Sequence, residues 1–166
     1  MKILQDILYK VRLDAVQGST QVAVRNLHFD SRKVGLDDVF IAIRGVGADG
    51  HLFIEKAVNA GAIAIICEEF PTILVNGVTY VKVSDSAEAL AWMASNFYDQ
   101  PSTKLKLVGI TGTNGKTTVA SLCYQLFQKA GYVCGLLSTV KVMVGNETYP
   151  ATHTTPDPIA INHYLN

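Results

Sequence analysis

Apolar residues in the first hundred positions alternate between helical spacing and short continuous runs. Helical spacing of apolar residues predicts helices over 1–10, 53–61 and 85–97. The last of these begins at Asp85-Ser-Ala-Glu88, which resembles a capping box. Apolar runs predict strands over 22–29, 39–43, 62–67 and 78–83. A bulge is predicted near Arg25-Asn26 in the first of these strands. The turn Asn76-Gly77 predicts a hairpin in which 73–75 pair with the last strand. This pattern is typical of a small mixed α/β domain.

The second part of the chain has the pattern strand, glycine-rich loop, helix, strand. The strand is predicted over 105–111, and an apolar stripe marks the helix that follows, which ends at Gly131. The next strand is predicted over 132–137, so the three elements form a βαβ unit with a parallel sheet. A hairpin over 141–149 and a helix that begins near Pro156-Asp157-Pro158 complete the pattern.

A polar stretch around Pro101 predicts a boundary. Residues 99–104 form the predicted linker between a first domain, 1–98, and a second domain, 105–166. The fold class is therefore α/β, with a small mixed domain followed by the start of a parallel-sheet domain. A two-stranded parallel sheet exposes its edges and an apolar face, whereas such sheets are normally covered on both faces. We therefore expect a missing C-terminal part of the same chain.

Composition narrows the function classes. The chain is 49% hydrophobic and 17% charged, which suits a folded core, and its 14 basic and 14 acidic residues balance. Without net charge there is no electrostatic argument for a nucleic acid partner or an anionic membrane. No apolar run approaches the roughly 20 residues that span a bilayer. Three dispersed cysteines indicate buried thiols in a reducing compartment. We expect a cytoplasmic protein.

A glycine-rich loop before the predicted long helix is the sharpest chemical signal. Its glycines let backbone N–H groups converge on a phosphate, and Lys116 can reach the β- and γ-phosphates while Thr117 can take a Mg²⁺ position. The spacing departs from the usual phosphate loop, because Ile110 stands where the first glycine is expected. The alternative is an ordinary turn with a surface lysine. The loop consists of Gly112, Thr113, Asn114, Gly115, Lys116, Thr117 and Thr118.

This loop resembles the ATP loop of the Mur ligases and their folylpolyglutamate synthetase relatives, which use ATP to join a carboxylate to an amine. Phe29-Asp-Ser-Arg-Lys-Val-Gly35 and the segment 38–62 resemble the UDP-binding domain of the Mur ligases that add the third amino acid or the dipeptide. The resemblance implicates Ser31 in binding the UDP precursor. A polar pair that some members carry is absent at Val46 and Gly47, so backbone groups would hold the uracil there.

The segment Ala151-Thr-His-Thr-Thr-Pro-Asp157 resembles the Thr-Thr-Pro motif of the Mur ligases that add the third amino acid, the MurE type. The resemblance implies that Thr154 and Thr155 contact UDP-N-acetylmuramoyl-dipeptide, with His153 as a further contact. From the residues alone, the alternative is a threonine N-cap ahead of Pro156.

The resemblance as a whole implies an amide-forming ligase of peptidoglycan precursor synthesis that uses ATP and Mg²⁺, with Lys116 as a catalytic residue. Its substrates would be UDP-N-acetylmuramoyl-L-Ala-D-Glu and a diamino acid, diaminopimelate or lysine, joined through an acyl phosphate. Further catalytic residues would lie beyond Asn166, so we expect the isolated chain to bind ligands without turnover. The alternatives are another Mur or folylpolyglutamate-type ligase and a non-catalytic UDP-sugar-binding module.

Overall fold

The chain forms two units, Met1–Asp99 and Gln100–Asn166, in a computed structural model that describes residues 1–45, 47–145, 147–150 and 155–166. The mixed α/β class is confirmed. The boundary between the units falls within the predicted linker 99–104, whose last part forms a 3-10 helix, Pro101–Lys104, in the second unit.

The first unit alternates strands and helices. Its elements in chain order are β1 (Lys2–Ile3), α1 (Leu4–Ile7), β2 (Ala15–Gln17), β3 (Ala23–Val24), β4 (Leu27–His28), β5 (Val39–Ile41), a 3-10 helix (Gly50–Phe53), α2 (Ile54–Asn59), β6 (Ala64–Cys67), β7 (Thr79–Lys82) and α3 (Ser86–Phe97). The main sheet has the order β2-β7-β6-β5-β4, in which β4 to β7 are parallel and β2 is antiparallel to β7. Strands β1 and β3 form a separate antiparallel pair.

The central strands are buried on both faces. All residues of β5 and β6 are buried, as expected of parallel strands inside an α/β layer. On one face, Phe40, Ile65 and Tyr80 pack in one cluster with Ile54 and Ala57 of α2. Because the sheet core is continuous, the loops that follow the parallel strands are anchored to a rigid base, and these loops all lie at the carboxyl edge of the sheet.

Two sequence predictions in the first unit are wrong. There is no bulge at Arg25-Asn26. The alternation of apolar and polar residues shifts there because two separate strands meet: β3 pairs with β1, whereas β4 pairs with β5 in the other sheet. Residues 73–75 form no strand beside β7, because β6 and β2 already occupy both edges of β7. The predicted start of α3 is confirmed, since the Asp85 carboxylate accepts hydrogen bonds from the backbone N–H groups of residues 87 and 88.

The second unit has a helix, a small sheet and a terminal helix. The elements are α4 (Lys116–Lys129), β8 (Gly135–Leu137), β9 (Lys141–Val144), β10 (Glu147–Pro150) and α5 (Pro158–Leu165). The sheet has the order β10-β9-β8 and is antiparallel throughout, so the predicted hairpin over 141–149 is confirmed. Helix α4 ends as predicted at Gly131 (φ +86°), where the N–H of Tyr132 bonds to the carbonyl of Phe127 in a Schellman motif.

The predicted strand over 105–111 and its parallel pairing are absent from the described residues. A strand is defined by hydrogen bonds to a neighbouring strand, and this segment joins none: β8 is the edge of its sheet and pairs only with β9. Val108 is 69% exposed. The apolar stripe of α4 is also exposed, as at Leu122 and Leu126, and Tyr124 is the one buried residue of the helix.

None of the helices within the described ranges has the length and apolar character needed to cross a bilayer. The cysteines are free thiols, of which only Cys67 is fully buried, while Cys123 and Cys134 are half-buried. Burial raises the pKa of the Cys67 thiol to about 11, so this side chain acts as a core residue rather than as a thiolate nucleophile.

Candidate functional site

The glycine-rich loop runs directly into helix α4, whose first backbone N–H groups have no side-chain cap. Gly115 is the N-cap residue, and the first hydrogen bond of the helix runs from the N–H of Val119 to the Gly115 carbonyl at 2.9 Å. The N–H groups of residues 116–118 therefore point out of the helix end without a helical acceptor. Together with the helix dipole they make this end positive, which suits a phosphate group.

Two glycines in the loop adopt backbone conformations that other residues rarely reach. Gly112 has φ +150° and Gly115 has φ +77°. A Cβ atom built on Gly115 would meet nothing within 4 Å, and one on Gly112 would only touch the carbonyl oxygen of Asn114 at 3.6 Å. The loop therefore needs glycine for its conformation and not for lack of space.

The Lys116 side chain folds back over the loop instead of extending along the helix. Its Nζ donates to the carbonyl oxygen of Gly112 at 2.5 Å and to that of Thr113 at 3.2 Å. The positive charge is thereby held at the loop, beside the outward-pointing N–H groups. Thr113, Asn114 and the lysine itself are exposed, so the loop is open to a ligand from solvent.

The loop offers one candidate ligand for a magnesium ion. Thr117 is half-buried at the first turn of α4 and offers one hydroxyl oxygen, whereas Thr118 is exposed. Across the described part of the chain, no three His, Cys, Asp or Glu side chains come together as a metal site. Mg²⁺ commonly keeps several waters and phosphate oxygens and takes few protein ligands. A single hydroxyl ligand from the protein is consistent with this coordination.

In the first unit, the turn after β4 holds Ser31 rigidly at the carboxyl edge of the sheet. The Asp30 carboxylate accepts from Nε and Nη2 of Arg32 at 2.9 and 2.8 Å and also from its backbone N–H at 3.0 Å. The hydrogen bonds from Arg32 lower the pKa of Asp30 to about 2. Ser31 lies between the two paired residues and is only 8% exposed. The turn thus fixes its backbone, while little of its surface remains open to a ligand.

A tight hairpin loop follows β5 at the same edge of the sheet. The N–H of Gly50 donates to the Ile43 carbonyl at 2.8 Å, and the N–H of Gly45 donates to the Ala48 carbonyl at 3.0 Å. A Cβ atom on Gly50 would lie 2.7 Å from the Ile43 nitrogen and 2.8 Å from its oxygen, so the two backbone segments touch. We refer to residues 43–45 and 47–50 as the edge hairpin.

Sequence reasoning missed the side chain that anchors this hairpin. The side chain is that of His51, which is 87% buried; its Nδ1 lies 2.7 Å from an oxygen of Asp49, and its Nε2 accepts from the N–H of Glu68 at 2.9 Å. Arg44 reaches the Glu68 carboxylate from the hairpin. In the sequence, the signal for this contact is weak: Asp-Gly-His follows one apolar strand, and Glu-Glu follows the next.

The structure brings residues 112–118 together in the second unit, whereas Ser31 belongs to the first. Thr155 is exposed and precedes α5. The cap of α5 is not a threonine as the alternative reading predicted: the Asp157 side chain accepts from the N–H of residue 160 at 2.9 Å. His153 and Thr154 lie outside the described residues.

Comparison with protein families gives two matches of the same kind. Residues 23–98 match the model of the Mur ligase family, catalytic domain, and residues 110–166 match the Mur ligase middle domain. Each match falls entirely within one of the two structural units.

Curated relatives agree with these matches. The chain is 54% identical over 163 residues to the UDP-N-acetylmuramoyl-L-alanyl-D-glutamate–2,6-diaminopimelate ligase of Cytophaga hutchinsonii, covering 98% of the chain and 34% of the relative. It is 46% identical to the ligase of the same name from Bacteroides fragilis, covering 98% of the chain and 33% of that protein. The chain thus spans about a third of the length of the curated relatives it matches.

Solved structures show the same fold. A structure named as a UDP-N-acetylmuramoyl-L-alanyl-D-glutamate–2,6-diaminopimelate ligase matches with a TM-score of 0.70 and 26% identity over 99% of the chain and 32% of that protein. The MurF ligase of Thermotoga maritima in complex with ADP matches with a TM-score of 0.54 and 28% identity over 86% of the chain and 29% of that protein. The two family matches, the loop at α4 and these relatives lead to one conclusion: the chain belongs to the Mur ligase family.

Proposed function

We propose that the protein containing this chain is an ATP-dependent ligase that adds a diamino acid to UDP-N-acetylmuramoyl-L-Ala-D-Glu in peptidoglycan precursor synthesis. The observation that carries the proposal is the phosphate-type loop at the start of α4, with its two positive-φ glycines and with Lys116 folded over it. Relatives at 54% and 46% identity are named for this reaction with 2,6-diaminopimelate, which favours that amino acid over lysine.

The chemistry explains why such a loop is needed. A carboxylate is a poor electrophile because its negative charge repels a nucleophile. Transfer of the γ-phosphoryl group of ATP to the carboxylate gives an acyl phosphate, and the amine of the diamino acid then displaces phosphate to form the amide. Catalysis of phosphoryl transfer is mainly positioning and charge stabilisation. In this chain those tasks fall to the N–H groups of residues 116–118 and to the Lys116 ammonium.

Magnesium has a defined place in this proposal. When bound, the ion neutralises charge on the phosphate oxygens. The hydroxyl of Thr117 is the group of this loop that would hold it. Thr113, Asn114 and Thr118 would contact the nucleotide around it, and Gly112 and Gly115 would let the backbone approach the phosphates.

The first unit, 1–98, would bind the UDP part of the substrate far from the reacting carboxylate, and 105–166 would bind ATP. Binding energy from a remote nucleotide can orient the reacting end of a long substrate. The supporting observation is that the turn of Ser31 and the edge hairpin both lie at the carboxyl edge of the parallel strands, where α/β sheets bind ligands. Thr155, Thr154 and His153 are the proposed contacts to the dipeptide end.

A matched pair of lysine variants tests the ATP site. Lys116→Ala removes the ammonium at the loop, and Lys129→Ala removes one from the last turn of the same helix. By isothermal titration of the 166-residue chain with Mg·ATP, we expect Lys116→Ala to weaken binding by about tenfold or more, since charged hydrogen bonds are worth roughly 1.5–3 kcal/mol. Lys129→Ala should bind as the wild type does. Equal affinity of Lys116→Ala and wild type would contradict the assignment.

The acceptor is tested with the complete gene product that carries these residues. It is incubated with ATP in separate reactions: UDP-N-acetylmuramoyl-L-Ala-D-Glu is paired with diaminopimelate or with lysine, and a UDP-N-acetylmuramoyl-tripeptide is paired with D-Ala-D-Ala. Products are identified by mass spectrometry. We expect a tripeptide product with diaminopimelate and equimolar ADP and phosphate. Product only with a UDP-tripeptide and D-Ala-D-Ala would indicate a dipeptide-adding ligase, and ligand binding without any product would indicate a non-catalytic module.

A further inference from the structure

The loops that follow β5, β6 and β7 are joined by one polar network at the carboxyl edge of the first unit. Arg44 donates through Nη2 to Glu69 at 2.7 Å and lies 3.4 Å from the Glu68 carboxylate through Nη1. The other oxygen of Glu68 accepts from the N–H and hydroxyl of Ser86 at the start of α3. We call this set the edge network; its members are Arg44, Asp49, His51, Glu68, Glu69 and Ser86.

His51 is the member that contacts both the hairpin and the sheet. Its Nε2 accepts a hydrogen bond from the backbone N–H of Glu68, directly after β6, so this nitrogen must carry a lone pair. Its Nδ1 lies 2.7 Å from a carboxylate oxygen of Asp49, so Nδ1 carries the proton. The contacts therefore select the neutral Nδ1–H tautomer.

The edge hairpin needs such an anchor because its own sequence is poor in side chains. Gly45, Gly47 and Gly50 stand within eight residues, and a Cβ atom on Gly47 would meet nothing within 4 Å. Glycine-rich segments lose much conformational freedom when they are ordered. In the proposed function, backbone groups of this hairpin hold the nucleotide base. A hairpin that is already fixed then binds more tightly than a mobile one, because binding costs less conformational entropy.

We propose that His51 is a positioning residue that clamps the edge hairpin, through its Nδ1–H tautomer, in the conformation that binds the UDP end of the substrate. This inference rests on the proposed function of the first unit. His51 touches no ligand itself: it acts through Asp49 on one side and the end of β6 on the other.

Three variants separate positioning from mere folding. His51→Leu removes both contacts, His51→Gln keeps an acceptor for the Glu68 N–H, and Leu52→Gln changes a neighbouring side chain that is 79% exposed. Each variant is titrated with UDP-N-acetylmuramoyl-L-Ala-D-Glu. Thermal unfolding checks that each variant is folded, and ATP binding serves as an internal control.

We expect His51→Leu to bind the UDP precursor about tenfold more weakly, as for the loss of a hydrogen bond. His51→Gln and Leu52→Gln should stay within about threefold of wild type. Nitrogen-15 shifts of the His51 ring should report the Nδ1–H tautomer.

Three results would each overturn the positioning role: wild-type affinity in His51→Leu, weak binding by His51→Gln, or ring nitrogen shifts that report a proton on Nε2. These results require a wild-type chain that binds the UDP precursor. A wild-type chain that binds ATP but no UDP precursor would instead refute the proposed function of the first unit, and the inference with it. If His51→Leu does not fold, the affinity of His51→Gln and the ring nitrogen shifts still decide.

Discussion

Replacing Gly50 with alanine should destabilise the first unit through a direct backbone clash. The added Cβ would lie 2.7 Å from the Ile43 nitrogen, 2.8 Å from its carbonyl oxygen and 3.1 Å from the carbonyl carbon of Ala42. Real Cβ atoms do not approach backbone this closely, so the base of the edge hairpin must move apart by several tenths of an ångström. That movement lengthens the bond from the Gly50 N–H to Ile43, now 2.8 Å.

Overpacking of this kind costs about 1–3 kcal/mol, and alanine returns roughly 0.5 kcal/mol by restricting the unfolded chain. We expect Gly50→Ala to lower the free energy of unfolding by about 2 kcal/mol, outside the range of surface substitutions. The assay is urea unfolding followed by the fluorescence of Trp92, the one tryptophan of the chain, which lies on α3 of the same unit.

Gly47→Ala is the matched control in the same hairpin. Its Cβ would meet nothing within 4 Å, so its unfolding free energy should match or slightly exceed that of wild type. If Gly50→Ala and Gly47→Ala unfold at the same urea concentration, the close contact between the two sides of the hairpin does not exist. The proposal that His51 holds this hairpin in place would then lack its structural support.

Two other predictions concern single contacts. Tyr124→Phe should destabilise the second unit by about 1 kcal/mol, because the hydroxyl of this buried residue donates to the Gly145 carbonyl at 2.9 Å. Hydrogen exchange of the β9 amides measures the loss of stability, and unchanged protection of these amides would contradict the prediction. The pKa of Asp30 is about 2 in the folded chain and about 4 in the unfolded chain. Pairing with Arg32 therefore stabilises the fold fully above about pH 4, and this stabilisation is lost as the pH falls through about 2. The difference in unfolding free energy between wild type and Arg32→Gln should therefore shrink between about pH 5 and about pH 2, and a constant difference would show that the pair does not matter.

Sequence patterns predicted features that depend on neighbours in the chain and missed those that depend on distant partners. The cap at Asp85 and the end of α4 at Gly131 involve contacts within a few residues, so the local sequence specifies them. The strand over 105–111 was predicted from apolar character alone, yet a strand also needs a neighbour. The contact of His51 spans 17 residues to Glu68, and only the parallel pairing of β5 with β6 brings those residues together.

The candidate sites use glycine for two different reasons, which the sequence alone does not separate. Gly50 is required because backbone atoms of the preceding strand end occupy the space of a side chain. Gly115 has open space around its Cβ position and is required because its φ of +77° is unfavourable for other residues. The phosphate loop is therefore specified by its own backbone conformation, and the edge hairpin by contact with the sheet. It follows that the hairpin depends on its anchoring side chains, above all His51, whereas the loop depends on the start of α4.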